Sequence, residues 1–291
     1  MEWNKAKNII IFFMIMLNIM LGIVIFMGRE RYSLSDNQER NIVEVLYRNN
    51  ITFNTPIIRN TRPMRTLELS PGVFSDAEMA QVFLGNANAP MVDEGGNMRH
   101  YYYNGAELII FENIVIFENN NRDEFMPVDF DSARRMSDSF LAGLGNMARG
   151  FILDVGPYSN GAEIIIEYRQ RREGVTIFNN YFLIAIDDYG IRRVEYSHNR
   201  VVGLSASANA IVGADEALFS FLRAMRMESV DRPPRIIEKM DIVYFMDPRD
   251  IDLGSAYPYF RIYYREYLGD GEYAMRLIIV NAYLNTWRVI L

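Results

Sequence analysis

The chain has 291 residues, half of them hydrophobic, with 30 Lys and Arg against 37 Asp and Glu and a formal charge of −7. That length and apolar content suffice for one or two packed domains. The absence of cysteine excludes a disulfide framework, a zinc–thiolate site and a thiol nucleophile, and the acidic balance argues against nucleic acid and anionic lipid as main partners.

The first element is the most informative. A short polar tail ends at Lys7, and the nineteen residues Ile9 to Met27 then run without a formal charge until Arg29 and Arg31. A helix of that length rises about 28 Å, near the hydrocarbon thickness of a bilayer. The run exceeds a signal-peptide core and is followed by no Ala-x-Ala cleavage pattern. The expectation is a retained single-pass anchor in the lipid bilayer, with a cytoplasmic N-terminus and residues 32–291 outside the cell. That remainder carries 26 basic and 35 acidic residues. Within the run, Ile11, Ile15, Asn18, Gly22 and Ile25 follow 4-3-4-3 spacing and form one seam of a helix. An amide in hydrocarbon seeks a partner and a glycine lets another backbone approach, so these five are the candidate transmembrane partner contact. A tolerated asparagine, satisfied locally or by water, is the alternative.

The polar region opens with a helix over 35–48, capped by Ser35 and striped by Ile42, Val45 and Leu46. A second helix is expected at 75–84, with Ser75 as cap and Glu78 three residues on. Residues 85–97 read as a loop. Strands follow at 98–103, 106–111 and 114–118, with Asn104-Gly105 as a two-residue hairpin turn. A helix at 129–145 precedes strands at 162–171, 174–187 and 190–197, turned at Glu173-Gly174 and Tyr189-Gly190. A helix at 213–227 starts with Asp215 and Glu216, suited to its positive end. Strands at 236–246, 257–267, 272–281 and 285–290 complete the chain.

Helices followed by antiparallel strands, several times over, predict an α+β fold: one N-terminal transmembrane helix and then two helix-plus-antiparallel-sheet domains. The boundaries are 1–31 for tail and anchor, 32–122 for the first extracytoplasmic domain and 123–291 for the second. The tyrosine-rich strands at 98–111 and 257–267 read as half-buried sheet, and as secondary candidates for a contact face.

Little in the chain supports catalysis. His100 and His198 stand apart, which disfavours a histidine metal site or triad. Gly143 to Ala148 matches GxGxxA but follows a helical pattern instead of a strand, so it reads as a helix end and not a dinucleotide site. Asp247, Asp250 and Asp252 with Gly254 form an acidic loop without EF-hand spacing. Asp187-Asp188 sits at a hairpin tip, where acidic residues serve as turn formers. No catalytic residue, cofactor or metal site is expected.

Glu2-Trp3-Asn4-Lys5-Ala6-Lys7, directly followed by the apolar run, resembles the opening of the YycI family, regulators of the WalK–WalR (YycG–YycF) two-component system. The match covers about the first 25 residues, and the rest agrees in length and plan. The resemblance implies a non-enzymatic, membrane-anchored regulator with an extracellular α+β ectodomain. It implies two partners, a YycH-like protein and a WalK-like sensor histidine kinase, and a role in signalling for cell-wall metabolism. An exported PepSY-like module that restrains an envelope hydrolase or binds a wall ligand is the alternative.

Overall fold

The computed structural model describes residues 2–30, 33–93, 98–122, 124–228, 233–248 and 254–290. Helices run over Glu2–Glu30, Asp36–Tyr47, Asp76–Leu84, Phe130–Gly143 and Ala214–Glu228, and the rest is mainly strand. Their starts follow local chemistry. Ser35 Oγ accepts from the Gln38 backbone N–H at 3.3 Å while Gln38 Oε1 accepts from the Ser35 N–H at 3.0 Å, a reciprocal capping box. Asp129 accepts from Ser132 N–H at 2.7 Å and opens the helix from Phe130. Ser75 precedes the helix from Asp76 but makes no side-chain cap.

The expected architecture is corrected. The fold is predominantly β, with its strands in one large mixed sheet in place of two antiparallel ones. The difference lies in pairings remote in sequence. Ile51–Phe53 lies parallel to Arg235–Phe245, with Ile51 opposite Arg235. Val243 and Tyr244 lie parallel to Thr176 and Ile177. Hairpin signals reveal only antiparallel neighbours, so parallel pairs with long connections leave no local mark. The transmembrane helix is corrected with it: among the described residues no helix is long and apolar enough to cross a membrane. Glu2–Glu30 is one continuous helix of 29 residues.

The chain divides into two compact units. The first comprises residues 1–64, 209–241 and 260–291. In it Asp36–Tyr47 packs on Ala214–Glu228, which in turn packs on the strands Glu272–Asn281 and Trp287–Ile290. Phe221 and Tyr264, both fully buried, meet edge to face at 5.2 Å. Burying one such ring contributes about 1.5–3 kcal/mol. Two arginines are buried here with carboxylate partners: Arg235 with Glu266 at 2.6 Å and Arg261 with Asp241 at 2.5 Å.

The second unit comprises residues 65–208 and 242–259. The hairpins Met98–Tyr103/Ala106–Phe111 and Glu163–Arg172/Val175–Asp187 pair in the registers Tyr103↔Ala106 and Arg172↔Val175. Their turns use Asn104-Gly105 and Glu173-Gly174, all four with positive φ, the conformation of a type I′ turn. At Gly105 a side chain would also collide with Asn121, whose Oδ1 lies 2.2 Å from where a Cβ would stand. The helices Asp76–Leu84 and Phe130–Gly143 cover one side of these strands, around Phe83, Leu108, Ile110, Val115, Ile166 and Val194.

Candidate interaction surface

The apolar helix is the candidate contact element; no proline interrupts Glu2–Glu30, and the Leu and Met residues of its apolar run are good helix formers. From Ile10 to Gly22 every residue is exposed, on all sides of the helix. Ile11 and Ile15 are 45% and 53% exposed, and Phe12 and Phe13 more so. A helix apolar all round is one that is buried in use, and an uncovered apolar area of this kind is a candidate for contact with a protein or a membrane.

Four of the five seam residues lie within this stretch: Ile11, Ile15, Asn18 and Gly22 fall along one line of the helix. The side chain of Ile25 lies outside the described residues. Asn18 Nδ2 donates to the Met14 carbonyl at 2.9 Å. This is the locally satisfied asparagine, and it uses one of the amide's two donor hydrogens. Among the described residues, nothing beyond the helix's own backbone lies within 4 Å of the position a Cβ would occupy at Gly22. The seam therefore presents a polar amide one turn from a bare backbone, room enough for a second helix to approach closely.

The remaining sequence candidates take structural places. His100 is buried on Met98–Tyr103, its Nδ1 3.4 Å from both Tyr102 Oη and Glu107 Oε1. His198 stacks on Tyr196 with ring centroids 6.3 Å apart, and burial holds its pKa below the usual histidine value. Its carbonyl accepts from Gly72 N–H, where a Cβ would stand 2.3 Å from that oxygen. Residues Gly143 to Ala148 are the end of a helix and a short 3₁₀ turn, Gly145–Ala148, as the glycine pattern predicts. Asp187 and Asp188 shape their turn: Asp187 Oδ1 accepts from Tyr189 N–H at 2.8 Å and Asp188 Oδ1 from Val128 N–H at 3.1 Å. Asp247 is buried, while Asp250 and Asp252 lie outside the described residues. Among the described residues no three or more His, Asp or Glu side chains group as metal ligands.

Two buried polar clusters in the second unit escape a reading by motif. Arg169 stands between Asp154 at 3.3 Å and Glu167 at 2.8 Å, with all three side chains at most 7% exposed. Tyr158 donates to Glu167 at 3.1 Å, and the guanidinium lies 4.0 Å from the Phe178 ring centroid. The only sequence signal is Glu167 and Arg169 at alternate positions of one strand, hence on one face.

The second cluster sits where Val175–Asp187 bulges against Glu163–Arg172: Arg169 pairs Tyr181 but Gln170 pairs Ile177. The asparagines between replace the missing ladder. Asn180 donates to Asn199 O at 2.8 Å and accepts from Asn199 N–H at 2.7 Å. Asn179 does the same for Met246, at 3.0 Å and 2.7 Å. Both clusters rigidify the unit.

No family model matches the chain, and no curated protein matches it. Among solved structures the chain is similar to an uncharacterized protein from Eubacterium rectale, at 12% identity and a TM-score of 0.46, over 82% of this chain and 89% of that one. It is also similar to the YpeB C-terminal domain of Bacillus megaterium, at 9% identity and a TM-score of 0.41, over 76% of this chain and 100% of that one. Neither structure shows the YycI family that the opening residues resemble.

Proposed function

We propose that this chain is a non-catalytic regulator that acts at the cell membrane, binding a WalK-like sensor histidine kinase together with a YycH-like protein and so adjusting signalling for cell-wall metabolism. Two features support the reading. Glu2 to Lys7 carry the YycI-like opening. The observation that carries most weight is the helix behind them, exposed from Ile10 to Gly22 and apolar there but for Asn18. Its seam of Ile11, Ile15, Asn18 and Gly22 is the contact line, with Gly22 as the point of closest approach. In the second unit the buried Arg169, Asp154 and Glu167 are committed to one another.

The test is a membrane two-hybrid assay against the candidate kinase and the YycH-like protein. Asn18→Leu with Gly22→Leu fills the seam and removes its amide, and should weaken capture. Capture at the unmodified level, with the double variant present at normal abundance, overturns the seam. Recovery of a cell-wall hydrolase and no kinase in a crosslinking pull-down would favour the PepSY-like alternative.

A further inference from the structure

We propose that the helix which docks on this seam carries a side-chain amide, Asn or Gln, placed to meet Asn18. The inference rests on the reading above, in which the seam holds a helix of another protein, and adds the chemistry of that helix. Asn18 is the only polar side chain between Ile10 and Gly22. Its neighbours on the helix surface, three and four residues away, are Met14, Ile15, Leu21 and Gly22. All are exposed, and none offers a side-chain nitrogen or oxygen.

The bond from Nδ2 to the Met14 carbonyl takes one amide hydrogen, and among the described residues the carboxamide makes no other. One N–H and the Oδ1 therefore remain for another molecule. In the free chain water serves them. A helix seated on the seam removes that water and surrounds the amide with Met14, Ile15 and Leu21, so the docked helix must itself supply both an acceptor and a donor.

The inventory of side chains narrows the choice. An ionised carboxylate only accepts, and Lys and Arg only donate. A hydroxyl on a helix donates to its own carbonyl one turn back, which leaves it to accept only. Neutral histidine has one nitrogen of each kind, but they point apart. The amide presents its donor and acceptor side by side, as Asn18 does. Gly22 supplies the reach: one turn from Asn18 the backbone is bare, so a second helix comes close enough for two short side chains to meet.

The test titrates the full chain in detergent micelles with fluorescein-labelled model helices of about 20 leucine and alanine residues, alike except for one central guest: Asn, Gln, Ser, Asp or Leu. Fluorescence anisotropy at pH 7 reads the binding. The Asn and Gln helices should bind about 3- to 30-fold tighter than the Leu helix, the span of hydrogen bonds between helices in apolar surroundings. Asn18→Leu should abolish that preference, Asn18→Gln should keep it, and Gly22→Leu should weaken every helix. An advantage of Ser or Asp equal to that of Asn overturns the proposal, as does an Asn advantage that survives Asn18→Leu. Equal binding of all five guests, with Gly22→Leu still weakening them, overturns the amide and leaves the seam. No effect of Gly22→Leu on any guest overturns the seam reading and the proposal with it. A dimer of the unmodified chain in sedimentation that Asn18→Leu dissociates would put the amide on a second copy and overturn the assignment to another protein.

Discussion

Asn180→Ala probes the bulge most directly. Asn180 is fully buried, and its carboxamide makes four bonds: to Asn199 O at 2.8 Å, from Asn199 N–H at 2.7 Å, from Asn199 Nδ2 at 3.0 Å and to Gln170 Oε1 at 2.8 Å. Truncation removes the partner of a buried backbone N–H and of a buried carbonyl. Each such orphaned group costs about 1–3 kcal/mol. Water entering the vacated space recovers part of this, so the net loss should be about 2–4 kcal/mol. For a unit of this size that lowers Tm by roughly 5–15 °C. Thermal unfolding followed by far-UV circular dichroism measures it, with Asn160→Ala, at the exposed end of Phe151–Asn160, expected to lie within about 0.5 kcal/mol of the parent. If Asn180→Ala unfolds like Asn160→Ala, the claim that side-chain amides replace strand pairing at the bulge is wrong.

Two further outcomes follow from the same unit and its neighbour. Arg169→Met leaves Asp154 and Glu167 buried without their cation and should cost about 3–5 kcal/mol. Arg48→Ala, which removes an exposed pair with Glu44, should cost less than about 0.5 kcal/mol, and urea midpoints of equal size would contradict both assignments. Burial pushes the hydroxyls of Tyr168 and Tyr196 up to about 12, helped at Tyr168 by its bond to Asp138 and at Tyr196 by the charge of Glu78. The unfolded chain loses these protons near pH 10 while the folded chain keeps them, so the stability they contribute is intact below pH 10 and lost as pH rises toward 12. The urea midpoint should fall across that window, less steeply in Tyr196→Phe; an equal slope in the variant would refute the assignment.

The parts of the fold that could be read in the sequence are those with local causes. Ser35, Asn104-Gly105 and Glu173-Gly174 each carry their structure locally, and the elements they bound stand where the pattern puts them. Phe151–Asn160 was hidden by Gly156-Pro157, which reads as a breaker, and forms because its bulges let the strand bend around that pair. Asn199–Asn209 was hidden by small polar residues with no alternation. The sheet's mixed character was hidden because Ile51 meets Arg235 and Thr176 meets Val243 across long stretches of chain. At the candidate surface, the 4-3-4 spacing placed Ile11, Ile15, Asn18 and Gly22 on one line of a helix. The spacing carried no sign of the bond from Asn18 to Met14, which depends on a rotamer and not on sequence spacing. The Arg169 cluster was equally silent, since Asp154 comes from a neighbouring strand.

The central claim is that the exposed apolar helix is where this chain binds its partners. Site-specific photocrosslinking measures that contact, with the crosslinker placed in turn at Ile11, Ile15 and Gly22 and, off the seam, at Phe13 and Met20. The account predicts adducts with a sensor histidine kinase or a YycH-like protein from the seam positions and few from the other two. Equal labelling around the helix, or no such adduct from any seam position, would contradict it.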